Sequence, residues 1–239
     1  MHCLSDNNFS SNISVLNVLL SPINSSYLPI VESSIQNLRF SVSSTKAKPL
    51  AIITPLEYSH VQATVICCKR DGIQMRIRRG GHDFEGTSYK SEVPFIILDL
   101  RNPRSISVDI EGNSAWVESG ATIGDLQYSI AEKSCTHAFP TGNYPGVGVG
   151  GHFSGGGVGN LIRMYGLAAD NVIDAIMVDV SGLILDWESM GTMVRSLGRD
   201  RDDSVESSPS RPLPIRYRDE TIPKYLTRRK IGRVVAVTD

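Results

Sequence analysis

The sequence predicts an α+β fold. Short apolar alternations with a period of two recur along the chain, helix-start signals fall between them, and two turns are dense with glycine. With 239 residues, the chain can form one large or two small domains with a real hydrophobic core. No internal repeat is visible.

Residues 1–45 read as an irregular arm with one helix near Tyr27 to Leu38. The folded unit is expected over 46–191. Ala51-Ile52-Ile53 is a short strand, and Thr54-Pro55-Leu56-Glu57 has the pattern of a capping box with Pro at the first helical position. Val61, Val65 and Cys68 follow at helical spacing, and Gly72 sits where a C-terminal cap belongs. Ile73, Met75 and Ile77 alternate with Gln74, Arg76 and Arg78, a strand with one buried face. Phe95 to Leu98 is a continuously apolar strand. Ser105 to Ile110 and Ala115 to Ser119 flank Glu111-Gly112-Asn113 as a hairpin. Thr122 opens another helix, with Ile123, Leu126 and Ile130 on one face. Gly159 to Tyr165 reads as helical, and Ala175 to Val180 with Leu183 to Asp186 as a second hairpin.

The first glycine turn, Gly80-Gly81-His82, follows the strand that ends near Arg78. A glycine pair permits positive φ and close backbone approach, and its amides can form an anion nest. Neutral imidazole is a nucleophile, so His82 is placed to touch, and even bond, what the loop holds. The second turn runs from Gly142 to Gly159, and nine of these residues are glycine. Gly146, Gly148 and Gly151 match G-x-G-x-x-G, which in a dinucleotide fold needs a strand before it and a helix after. Phe139-Pro140-Thr141-Gly142-Asn143-Tyr144-Pro145 is no central strand, and the stretch to Gly159 reads as too glycine-rich to open a helix. The Rossmann reading is therefore set aside.

Two motifs together identify a family. Arg78-x-Gly80-Gly81-His82-Asp83-x-Glu85-Gly86-x-Ser88-Tyr89 and Gly148-Val149-Gly150-Gly151-His152-Phe153-Ser154-Gly155-Gly156-Gly157 resemble the berberine bridge enzyme-like family of plant FAD-linked oxidases. Tyr165 to Asp174 and Asp186-x-Glu188-Ser189-Met190-Gly191 continue the likeness, which covers Cys3 to Gly191. The resemblance implies a two-lobed FAD-binding domain of the PCMH type, incomplete here, with the substrate domain missing and the flavin between the lobes. It implies a covalent bond from His82 to FAD and main-chain contacts from Ile77 to Asp83 to the pyrophosphate, with Arg78 adding charge. Arg79 stands where a serine is usual, and its bulk either helps the phosphates or crowds them. Gly148, Val149, Gly150, Gly151 and His152 would lie beside the flavin. The family's second flavin bond comes from a cysteine in Gly-x-Cys-Pro. Here that stretch is Gly142-Asn143-Tyr144-Pro145, and tyrosine supplies no thiolate, so at most one bond is expected. Tyr144 is then free to cover the ring, and Val158 replaces a common tyrosine. Asp83, Glu85 and Asp170 are the acid/base candidates, and none is assigned a catalytic role.

The implied activity takes a hydride from an alcohol or amine carbon of a small-molecule substrate and passes electrons to O2. The alternatives are an inactive or unstable truncated flavin-binding product and a secreted carbohydrate- or protein-binding module. Cys3 and Cys67 align with the family's disulfide pair, which needs an oxidising compartment. Cys68 and Cys135 are expected to be buried apolar thiols. No zinc-type spacing occurs. The sequons at Asn8, Asn12 and Asn24, with the resemblance, point to a secreted glycoprotein of the cell wall or vacuole. The first residues nevertheless lack the basic and apolar regions of a leader.

Formal net charge is −1, which gives no global field for nucleic acid, and no segment has the ~18 apolar residues of a membrane span. Residues 1–191 carry 13 basic and 18 acidic side chains, whereas 192–239 carry 11 and 7. That last stretch is read as a disordered tail foreign to the family, and the chain as truncated.

Overall fold

In the computed structural model, residues 3–4, 14–40, 48–185, 231–232 and 235–237 are described. Phe95–Asp99 is buried along its whole length, as a run apolar on both faces must be, and it sits inside a sheet. That sheet comprises β1 (Leu19–Leu20), β2 (Ala51–Ile53), β3 (Gln74–Arg78) and β4 (Phe95–Asp99), in the order β1-β2-β4-β3. β2 and β3 run parallel to β4, and β1 is antiparallel to β2. Residues 1–45 are thus more than an arm. They supply an edge strand and helix α1 (Tyr27–Ser33), which buries Tyr27 and Val31 and ends before the expected Leu38.

Helix α2 (Tyr58–Asp71) links β2 to β3 and closes on Gly72 in the left-handed conformation, φ 64°. Its start differs from the expected capping box. The Thr54 hydroxyl donates to the Val18 carbonyl at 3.3 Å, extending the β1–β2 pairing, so the helix begins three residues later, at Tyr58. His60 Nδ1 accepts from the Leu56 amide at 3.1 Å and satisfies one donor there. Cys67, in α2, forms the disulfide with Cys3 that the resemblance implied. Cys68 is buried, and burial together with Asp71 pushes its thiol up to about 12. Cys135 is exposed, contrary to the expected burial, because it follows the last turn of a surface helix.

That helix, α3 (Ile123–Lys133), carries a complete capping box between Thr122 and Asp125. Ile123, Leu126 and Ile130 are its buried face, each side chain contributing about 1.5–3 kcal/mol on burial. Leu126 and Ile130 pack in a second core with the hairpin β5 (Ile106–Asp109) and β6 (Ser114–Val117) and with β7 (Ile176–Val178), whose partner is β8 (Ile184–Leu185). Short helices α4 (Val149–Ser154) and α5 (Ile162–Tyr165) lie between; α5 is shorter than the 159–165 expected. Of 192–239, only β9 (Ile231–Gly232) and β10 (Val235–Val237) fall within the described residues. They run parallel to β6 and β7, and the rest of the stretch expected to be a disordered tail lies outside the described residues.

One ion pair ties α1 to the sheet. Arg78 and Asp99 side chains are both 0% exposed, and Arg78 donates to Asp99 Oδ2 from Nε at 3.0 Å and from NH2 at 2.6 Å. Arg78 also donates to the carbonyls of Val31 and Ile30, the end of α1. Burial pulls its pKa down, opposed by Asp99. Arg101 adds a second cation to the same carboxylate at 2.9 Å. Asp99→Asn should destabilise the fold by about 3–5 kcal/mol in urea unfolding, because it strands the buried Arg78 charge. The double change Arg78→Met with Asp99→Leu should lose less.

Candidate functional site

Strand β3 stops at the locked Arg78, and the chain turns at once. Gly81 has φ 70°, and a Cβ there would lie 1.5 Å from the Ser34 carbonyl oxygen. A Cβ on Gly80 would lie 2.6 Å from the Gly146 carbonyl oxygen and 3.0 Å from the Gly148 amide nitrogen. The two glycine turns therefore meet backbone to backbone, one leaving the first sheet and the other tied to the second core. The tie is local. Ile123 and Gly124 amides donate to Val147 and Pro145 carbonyls, and the Val149 amide donates to Ala121. Gly148 pairs with Thr122, the cap of α3.

Among the described residues, no protein group accepts from the amides of Gly80, Gly81, His82 or Asp83. Successive free N–H groups in such a turn form a nest for an anion. His82 is half-buried beside them. Its ring lies 5.1 Å from Tyr144, edge-on at 72°, and Nε2 faces Gly146, where an added Cβ would come within 3.2 Å. Burial lowers the His82 pKa below the usual value, against the opposing pull of a hydrogen bond to Gly146. The imidazole therefore gives up its proton more readily than an ordinary histidine.

The Arg79 stem runs under the second turn, with Cγ 3.0 Å from where a Gly148 Cβ would be, and its Nε donates to the Gly120 carbonyl. Arg78 offers the site no charge, since its guanidinium is committed to Asp99 and α1. His152 is a latch: its Nε2 accepts from the Gly142 amide at 2.9 Å, and burial lowers its pKa. The Val149 side chain lies in the second core, so only its main chain can reach a ligand. Gly151 has open space around it, and Tyr144 and Val158 are exposed.

The carboxylate candidates are turn organisers. Asp83 accepts from the amides of Glu85 and Ser88 and from the Thr87 hydroxyl. Burial would raise its pKa, but these bonds together hold it below the usual value, so it stays ionised. Asp170 accepts from the Leu167 amide at 2.8 Å. Glu85 is exposed.

One expectation about the second turn is corrected. A helix does open there, α4, with Gly148 as its cap. Val149 and Phe153, four apart, are both buried in the second core, and that packing overrides poor propensity. No named strand precedes Gly146, so the turn still lacks the dinucleotide-fold context. Sequence reading missed Ser119 and Gly120. The Ser119 Oγ is buried with no partner among the described residues, and its Cβ lies 3.2 Å from where a Gly150 Cβ would be. No pattern in the sequence marks either residue. Gly146 was legible as part of the glycine run, but not as the neighbour of His82.

A nest of free amides, a cradle that any Cβ would fill and an orphaned hydroxyl fit a nucleotide bearing a diphosphate. Residues 49–188 match the family model described as FAD binding domain, so the chain carries an FAD-binding domain. More narrowly, the chain belongs to the berberine bridge enzyme-like family. It is 62% identical to O-acetylstemmadenine oxidase of Catharanthus roseus over 80% of this chain and 35% of that protein. It is also 62% identical to tetrahydroberberine oxidase of Berberis wilsoniae, over 70% of this chain and 31% of that one. The crystal structure of BBE-like 28 from Arabidopsis thaliana superposes with a TM-score of 0.72 at 50% identity, over 76% of this chain and 38% of that one. The chain thus spans about a third of the length of the curated relatives it matches.

Among the described residues there is no cluster of three or more potential metal ligands, and no helix is long and apolar enough to cross a membrane. Gly80→Ala should part the two turns, because its methyl cannot share space with the Gly146 oxygen. We expect FAD affinity to fall at least roughly tenfold and stability by about 1–3 kcal/mol, read by flavin fluorescence titration and thermal unfolding.

Proposed function

We propose that this chain is the flavin-holding part of a secreted oxidoreductase and that it carries FAD through one covalent bond at His82. The observation that carries this reading is the meeting of the two glycine turns beside His82. FAD, when bound, supplies the acceptor for a hydride from an alcohol or amine carbon and hands the electron pair to O2. The protein groups hold and orient. Main-chain amides from Gly80 to Asp83 receive the diphosphate, Ser119 and Gly148 to Gly151 line the second wall, and Tyr144 borders the ring. Nε2 of His82 lies against Gly146, which leaves Nδ1 as the nitrogen we assign to the bond. Tyr144 forms no thioether, so the flavin is singly attached and a weaker oxidant than a doubly attached one. The names of the two oxidases support O2 as acceptor.

Secretion is supported by the Cys3–Cys67 disulfide and by the sequon at Asn24, which lies on an exposed turn where its Oδ1 accepts from the Ser21 amide. Asn8 and Asn12 lie outside the described residues. A second reading, a flavin-binding product without turnover of its own, is favoured by a specific observation. Asp83, Asp170 and His152 are each committed to a backbone amide, so none is free as a base.

Purified protein should be yellow and keep its colour in the acid precipitate, with peptide mass spectrometry placing one flavin on the His82 peptide and none on Tyr144. His82→Ala should release all flavin into the supernatant; release from the unaltered protein would refute the covalent bond. The pH dependence follows from the lowered His82 pKa. The attachment rate should be flat above about pH 6.5, the usual histidine value, and fall only as protonation begins below it. The same shift costs the fold stability as pH drops below that value, because the unfolded chain takes up the proton more readily.

A further inference from the structure

We infer that Arg79 is a clasp across the three segments of the flavin cradle and makes it prefer a flavin with a diphosphate over one without. This rests on the reading that the cradle takes FAD. Arg79 precedes the amide nest directly, so its position is set by β3 and by the buried Arg78 before it. Its stem fills the room left by the missing side chain of Gly148, at 3.0 and 3.2 Å from that residue's would-be Cβ. Its Nε reaches the carbonyl of Gly120, on the loop between β6 and α3. One side chain therefore touches the first turn, the second turn and the loop below them, a span that the serine usual at this place in the family cannot cover. The question of crowding is answered by that route: the stem runs beneath the second turn rather than across the nest.

The chemistry of the guanidinium does the rest. It has five N–H donors, and Gly120 takes one. Among the described residues, no carboxylate forms an ion pair with Arg79. Asp125 and Asp99 favour its charge from nearby, while Arg104, Arg101 and burial itself disfavour it. A half-buried cation of this kind is screened little by salt, and its planar fork suits phosphate oxygens two at a time. It belongs to the residue directly before the amides of Gly80 to Asp83, none of which has a protein acceptor among the described residues. A neutral flavin would lose nothing when this charge is removed, whereas a dinucleotide would.

The test uses fluorescence titration with FAD and with riboflavin in the His82→Ala background, where binding stays reversible. Arg79→Ser should weaken FAD at least roughly tenfold and leave riboflavin within about twofold. Arg79→Lys should recover part of the FAD affinity, since it keeps the charge but not the fork, and it gives a reading should the serine variant misfold by circular dichroism. Equal losses for both ligands, or an unchanged FAD affinity, would overturn the inference while leaving the FAD reading intact. If the Arg79 protein itself bound neither flavin, the proposed function would fall and take this inference with it.

Discussion

Two stretches of main chain approach more closely than any side chain would allow, and the site exists because of it. Gly80 stands against Gly146 and Gly148 where a methyl group would overlap a carbonyl oxygen. Neither turn could do this alone. The first is aimed by β3, the second by its bonds to the start of α3, and the two strand-and-helix systems have separate cores. The cradle is a seam between cores, so its geometry reports the packing of both. Clefts of this kind suit an extended ligand with a charged middle and a flat end.

The buried pair of Arg78 and Asp99 serves that seam rather than the ligand. Isolated ion pairs in dry surroundings add little net stability, since desolvation offsets attraction. This one binds three further groups: two carbonyls at the end of α1, and Arg101 at the rim. It specifies where β3 ends and hence where Gly80 begins. A motif arginine beside a phosphate nest invites the reading of a phosphate ligand, but Arg78 is committed to Asp99 and α1.

Much of the fold was legible because local and tertiary signals agreed. The capping box at Thr122 formed, Gly72 closed its helix, and the apolar run at Phe95 became a central strand. Misreadings came where distant chain competed. Thr54 looked like a cap, but β1 from the supposed arm took its hydroxyl. A helix seemed impossible after Gly148, but Val149 and Phe153 found a core. Of the site, residue types in the two motifs announced the ligand, whereas pairing across the seam could not be read. Nothing near Ser119 or Gly120 in sequence says that residues about thirty to forty positions away will lie on them.

Holding a cofactor and using it are separable demands, and this chain shows why. Grip needs amides, a cation and a fitted wall, all of which one compact seam can supply. Turnover needs a group left free to move a proton, and three polar side chains of this seam are already spent on the backbone: Asp83 on its own turn, His152 on Gly142, Asp170 on Leu167. Such spending is what makes glycine-rich loops rigid enough to bind. Flexible turns acquire a fixed shape only when neighbouring side chains satisfy their amides, and each side chain so used is lost to acid–base work. Asp83, His152 and Asp170 so committed serve the shape of the cradle rather than proton transfer.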